Sequence, residues 1–267
     1  KSSAASDVYK RQVPFIARYR KEQHGTMDDQ TIRMLSDRLN YLRGLENRRA
    51  EVKNSIEEQG KLTPELAGAI DAASTLAEVD DLYRPYRPKR RTRASIARDK
   101  GLEPLAELLF SGKADSSDPL VLAARFTDPD KGVETPEEAL AGARDILAEN
   151  LSDDADIRKR LRLQMQKNGT LRSEAATEED TVYRLYYEYE EPIRRLQSHR
   201  VLAINRGEKE GILKVSVQAG DAEAVSLVLR CAVRPGHPFA ALLQEVAEDA
   251  WDLSLIHISE PTRLDVI

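Results

Sequence analysis

Between residues 32 and 56, Ile32, Leu35, Leu39, Leu42, Leu45, Val52 and Ile56 return at three- and four-residue steps, with one turn skipped at Arg49. That spacing places them on one stripe of a helix of about eight turns. A strand cannot satisfy it, because alternate strand residues face opposite ways. Thr26 and Asp28 can cap the start, and Gly60 can stop it. The other faces are heavily charged, so the helix is expected to span two packing partners or to run along the outside of a bundle.

More helix signals follow. In Thr63-Pro64-Glu65-Leu66 a capping Thr precedes a Pro at the first helical position, where the missing N–H costs nothing. Thr135-Pro136-Glu137-Glu138 repeats this and adds a capping box between Thr135 and Glu138. Ser152 is expected to cap a helix carrying Ile157, Leu161 and Met165, ended by Asn168-Gly169. Another helix is expected over about 178–190, and residues 239–251 again show helical spacing. Residues 223–233 fit helix or strand. Val201-Leu202-Ala203-Ile204 and Ile212 to Val217 are short, β-branched and separated by Gly207 and Gly211 around a charged link, which predicts a small β-hairpin near 201–217. The fold class is therefore mainly α: a multi-helix scaffold with that one hairpin.

The two ends carry a different pattern. Residues 7–12 and 254–263 resemble translated adaptor sequence, and the helical period breaks at Leu253. The expected division is non-native tails at 1–12 and 253–267, a helical region over 13–200, and hairpin plus helices over 201–252.

Composition and motifs exclude much chemistry. A single cysteine, Cys231, rules out an intramolecular disulfide framework and a Cys-rich zinc site. None of the four histidines has another histidine or a cysteine three or four residues on. Asp128-Pro129-Asp130-Lys131-Gly132 hints at a calcium loop, but its glycine comes one position early and Ala139 stands where the bidentate Glu belongs. A turn is the better reading. No glycine-rich phosphate cradle or nucleophile elbow occurs. Ser198-His199 are adjacent residues that do not make a nucleophile–base pair. Asp80-Asp81 and Asp153-Asp154 read as helix-end charges, the latter suiting a first helical turn. No catalytic residue, metal or cofactor is expected. No apolar run approaches a membrane span, and no secretory signal opens the chain, so a cytoplasmic location is expected.

The net charge of −5 excludes a uniformly basic nucleic-acid binder, so any such contact must be a local patch. One patch stands out. Residues 84–100 hold eight Lys/Arg against the single acid Asp99. Arg84, Arg87, Lys89, Arg90, Arg91 and Arg93 are the candidate phosphate contacts, because guanidinium forks match phosphate oxygens. Pro85 and Pro88 predict an extended backbone there, and Tyr83 or Tyr86 can stack on a base. Two readings stand: a nucleic-acid contact, or a solvated loop that pairs with this chain's own acids. Tyr183, Tyr186 and Tyr187 are spaced as a core face, among glutamates that repel phosphate.

Several long segments share a pattern. Val13-Pro14-Phe15-Ile16-Ala17-Arg18-Tyr19-Arg20-Lys21-Glu22, Ser55 to Thr63, Asp81 to Ala94, Gly101 to Ala106, Ala143 to Glu149 and Ser198 to Glu208 together resemble the N-terminal part of the Tex family of bacterial transcription accessory proteins. The resemblance implies helix-turn-helix-like parts within the helical region. It implies that the parent continues into an RNase H-like domain, helix-hairpin-helix motifs and an RNA-binding OB-fold domain. The acidic site and main RNA-binding surface of those domains have no counterpart here. Expected partners are RNA or DNA, through the parent protein, and transcription machinery; no membrane is expected, and the chain is expected to be a monomer. The alternative is a protein-interaction module, docking on transcription machinery or on the parent's own C-terminal domains through the long charged helix.

Overall fold

The computed structural model describes residues 13–25, 27–87, 91–113, 118–218 and 220–265. The chain divides into two units, one ending at Tyr83 and the other beginning at Arg84.

The first unit holds helices α1 (Val13–Tyr19), α2 (Lys21–His24), α3 (Asp29–Glu58), α4 (Pro64–Ala72) and α5 (Leu76–Tyr83). The long helix starts where the sequence placed it: Asp28 Oδ1 accepts from the Thr31 N–H at 2.7 Å. Thr26 lies outside the described residues. Gly60, at φ +67°, follows the end of the helix in the left-handed region that glycine enters freely. Thr63 caps α4 as expected, accepting from the Leu66 N–H at 3.2 Å.

The apolar stripe of α3 is only partly covered. Ile32, Leu45, Val52 and Ile56 are buried, while Leu35, Leu39 and Leu42 are exposed, as is Met34. The reason lies in lengths. Thirty residues of helix extend about 45 Å, and α4 and α5 are short. Their bonds to α3 all fall on its second half: Arg49 Nη2 to the Ala73 carbonyl at 2.6 Å, Lys53 Nζ to Asp71 at 2.7 Å, Arg48 to Asp80 at 2.8 Å, and Ser55 to Tyr83 at 2.9 Å.

The second unit is arranged around α9. Its elements are α6 (Arg93–Asp99), α7 (Glu103–Ser111), α8 (Pro119–Ala123), α9 (Pro136–Asp153), α10 (Ala155–Asn168), β1 (Thr170–Ala175), β2 (Glu188–Pro192), α11 (Ser198–Lys209), β3 (Leu213–Gln218), α12 (Asp221–Ala232) and α13 (Ala240–Asp265). Helices α6, α7, α8 and α13 pack on α9. The stripe Ala139, Ala143, Ile146 and Leu147 is buried among Leu105, Leu109, Leu122, Leu243 and Val246. Thr135 caps α9, accepting from the Glu138 N–H at 3.2 Å. Glu138 reaches back one residue further than a capping box requires, to the Glu134 N–H. Asp128 to Val133 is a turn with a 3-10 segment, as the calcium-loop argument required.

Three expectations change. First, Val201 to Ile204 is not a strand: it lies within α11, and only the second half of the expected hairpin, β3, is extended. Val201 and Ile204 are three apart and both point inward, a helical spacing that a four-residue apolar run is too short to reveal. Strand β3 pairs instead with β1, in a three-stranded antiparallel sheet of order β2-β1-β3. Leu171 faces Val217 and Ser173 faces Val215. This pairing ties residues 213–218 to β1, within the second unit. Second, 178–190 is a 3-10 turn (Arg184–Tyr186) leading into β2, not a helix. The core role expected of its tyrosines holds: Tyr183 is buried, and Tyr186 and Tyr187 pack beside it with Leu171, Ile204 and Leu213. Third, α10 is capped by Asp154, which accepts from the Ile157 N–H at 2.8 Å, while Ser152 is buried in the last turn of α9. Residues 223–233 resolve as helix. The backbone of α13 continues past Asp252 to Asp265 without a break, and Trp251 donates to Asp221 at 3.0 Å.

Gly169 is required for space. Its φ is −68°, open to any residue, but a Cβ there would lie 2.3 Å from the Met165 carbonyl oxygen and 2.8 Å from Ile193 Cδ1. The Gly169→Ala variant is expected to lose ~1–3 kcal/mol, which lowers the thermal midpoint of the second unit by roughly 2–4 °C per kcal/mol; calorimetry of the chain checks this.

Candidate nucleic-acid interface

The cationic segment is built on α9. Asp145, Glu149 and Asp153 are four residues apart, so their side chains form one acidic line along that helix. Each receives part of the segment. Arg84 Nε meets Asp153 Oδ1 at 2.5 Å, with the arginine side chain 22% and the aspartate 8% exposed. Glu149 accepts from Arg98 Nη1 at 2.6 Å and from the Thr92 hydroxyl at 3.0 Å. Arg98 also donates to Asn150 at 2.8 Å. Asp145 meets Arg93 at 3.5 Å, and that arginine remains 74% exposed.

Local backbone chemistry sets these positions. Residues Arg84–Tyr86 form a 3-10 turn where Pro85 suggested an extended run, and Pro88 lies outside the described residues. Pro85 carries the φ that such a turn needs, and its missing N–H is not missed there. Thr92 then caps α6 reciprocally with Ser95: Thr92 Oγ1 accepts from the Ser95 N–H at 3.0 Å, and Ser95 Oγ accepts from the Thr92 N–H at 2.9 Å. The helix start turns Arg98 inward and leaves Arg93 at its exposed first position.

The six candidate contacts thus separate. Arg84 is committed to Asp153. Arg87 and Arg91 are exposed, and among the described residues neither guanidinium has a partner. Arg93 is exposed and loosely held. Lys89 and Arg90 lie outside the described residues. Tyr83 is occupied, bonded to Ser55, with the Arg48 guanidinium 5.6 Å from its ring centre; Tyr86 is half-buried. The acidic line on α9 was missed in the sequence, although its four-residue spacing was visible.

Electrostatics elsewhere is structural. Arg200 donates to Tyr189 at 3.1 Å and to Glu191 at 2.9 Å, and the Tyr189 hydroxyl bonds Glu191. Burial, with Glu191 adding to it, pushes the Tyr189 phenol up, and the Tyr189 bond and Arg200 hold Glu191 down. His237 Nε2 meets the Phe110 carbonyl at 3.1 Å while Nδ1 accepts from the Phe239 N–H at 3.2 Å, a structural tie. Among the described residues no group of three or more His, Cys, Asp or Glu is placed to hold a metal ion, and no helix is long and apolar enough to cross a membrane.

Comparison with known proteins covers most of the chain. Residues 10–57 match the Tex-like protein N-terminal domain, and residues 114–264 match the Tex central region-like family. The chain belongs to the Tex family. It is 45% identical over 246 residues to the uncharacterized protein YdcI of Bacillus subtilis, covering 90% of this chain and 34% of that protein. It is 41% identical over 209 residues to the transcriptional accessory protein Tex of Neisseria gonorrhoeae, covering 77% and 27%. It is 30% identical over 220 residues to S1 RNA-binding domain-containing protein 1 of Homo sapiens, covering 78% and 22%. The chain therefore spans about a third or less of the length of these relatives.

If the α9 carboxylates fix the segment, Asp153→Ala strands the part-buried Arg84, at a cost of about 3 kcal/mol. Trypsin should then cut after Arg91 or Arg93, which no proline follows, markedly faster than in the parent chain. Unchanged cleavage would show that the acidic line does not hold the segment.

Proposed function

We propose that this chain is the non-catalytic helical part of a Tex-like transcription accessory factor of the cytoplasm, and that it contacts the phosphate backbone of RNA or DNA through Arg87, Arg91 and Arg93. Lys89 and Arg90 belong to the same segment. The observation that carries the reading is the division of labour on α9. Arg84 and Arg98 spend their charge on Asp153 and Glu149, which anchors both ends of the segment. Between them Arg87, Arg91 and Arg93 are exposed, and a pre-anchored cation loses less entropy on meeting a phosphate than one on a free loop. The names of two relatives, a transcriptional accessory protein and an S1 RNA-binding domain-containing protein, agree with this class of partner.

Each phosphate neutralised on a single strand adds about 0.7 to the slope of log affinity against log salt. The triple variant R87A/R91A/R93A is expected to lower that slope by about 2 on oligouridine, read by fluorescence anisotropy across a potassium chloride series. A slope equal to that of the parent chain returns the segment to a purely intramolecular role.

A second reading, docking on transcription machinery or on the parent's later domains, has its own observation. Met34, Leu35, Leu39 and Leu42 form an exposed apolar row on the first half of α3, a surface that water leaves unfavourably wetted. In a full-length family member, Leu35→Asp with Leu39→Asp should increase proteolysis at sites beyond the region equivalent to this chain. The same pair in this chain alone should leave its helicity unchanged. Equal proteolysis of the full-length protein with and without the substitutions argues against that docking.

A further inference from the structure

We infer that α10 carries a second contact for a nucleic-acid phosphate backbone, formed by Arg160 and Lys167 with Arg194 from the 3-10 turn packed beside it. This rests on the reading above that the chain binds nucleic acid, and it adds a surface with no part in that reading.

Residues 157–173 contain six Lys/Arg and no acid. As in the first segment, the cations divide into anchors and free groups. Arg158 is 3% and Arg162 9% exposed, and Arg158 Nη1 donates to the Ser152 carbonyl at 3.3 Å. Their charges are turned toward the interior. Arg160, Leu163 and Lys167 recur at three- and four-residue steps, so they share the opposite, solvent-facing stripe, and Leu163 there is 59% exposed. Among the described residues, none of Arg160, Lys167 and Arg194 pairs with a carboxylate.

The 3-10 turn Ile193–Arg195 is fixed against the end of this helix. The Ile193 N–H donates to the Gly169 carbonyl at 2.9 Å, and the absence of a side chain at Gly169 lets Ile193 close on the helix. Arg194 is exposed on that turn. Two of the acids around α10 are already engaged. Asp154 is spent as the cap of α10, and Glu223 accepts from Asn168 at 3.2 Å, leaving Asp156 exposed in the first turn.

The position of this face relative to the first cationic segment strengthens the case. Arg84 grips Asp153 and Arg158 grips the carbonyl of Ser152, adjacent residues at the C-terminal end of α9. Both basic segments are therefore tied to the same end of α9. Several weak phosphate contacts in series raise affinity without base recognition, which fits a sequence-tolerant strand contact.

The test uses the full 267-residue chain and fluorescein-labelled oligouridine across a potassium chloride series. The triple variant R160A/K167A/R194A should lower the salt slope by about 2, and combining it with R87A/R91A/R93A should lower it by about 4 in total. The charge-preserving R160K/R194K variant should keep the parent slope. Circular dichroism and thermal unfolding establish that each variant is folded; R160Q/K167Q replaces any that is not. If the first segment's variant lowers the slope and R160A/K167A/R194A does not, the α10 contact is overturned and the proposed function stands. If neither lowers it, or oligouridine does not bind the parent chain, both fall.

Discussion

The second unit depends on where α9 keeps its carboxylates. Asp145, Glu149 and Asp153 occupy one line of a helix whose other face, through Ala139, Ala143 and Ile146, is the centre of the core. The helix therefore has two jobs on two faces. Its apolar face collects α6, α7, α8 and α13, and its acidic line decides which cations are neutralised inside the molecule. Glu149 and Asp153 are largely buried, and a buried carboxylate without a partner would be costly. Arg84 and Arg98 are thus obligatory partners. A net negative protein can in this way hold a cationic segment at its surface, because the acids that balance its charge face inward.

Much of this was legible before the coordinates, and the failures have physical causes. Helix starts at Asp28, Thr63 and Thr135 were readable because a short polar side chain before a helix has a specific N–H to satisfy. The stripe of α3 was readable as helix. Its exposure was not, because periodicity reports which residues share a face and not whether anything arrives to cover it. The hairpin failed at Val201 to Ile204, where four apolar residues fit either period. Once 201–204 is helical, β3 needs another partner, and β1 supplies it from residues with little β signal of their own: Thr170, Leu171, Arg172 and Ser173. Non-local pairing of that kind has no local signature. The tyrosines were placed correctly in the core by the wrong element, since three-residue spacing serves a 3-10 turn as well as a helix.

The candidate site shows the same asymmetry. A run of eight basic residues is visible in any composition scan, but its division into anchors and free groups is a property of α9, far away in sequence. The run on α10 has a related property. Ile157, Leu161 and Met165 mark an amphipathic helix, and their spacing does not say which of the cations between them keep their charge in water. Only the burial of Arg158 and Arg162 separates the side of that helix that is charged and spent from the side that is charged and free.

The weakest of the three α9 pairs is informative. Burial pushes the Asp145 carboxyl above its ordinary value, against the pull of Arg93 and Arg144, with Asp249 adding repulsion. Arg144 is itself shared with Glu245 at 2.7 Å and Asp249 at 3.7 Å on α13. Asp145 is thus a poor competitor for Arg93, which it meets at 3.5 Å and leaves mostly in water. On the function proposed above, a phosphate oxygen at Arg93 would displace little, because the arginine is never fully desolvated. The acidic line therefore grades along the helix, from Asp153 and Glu149, which bind their arginines as structure, to Asp145, which holds its arginine in place and can give it up. That gradient lets one surface be both anchored and available.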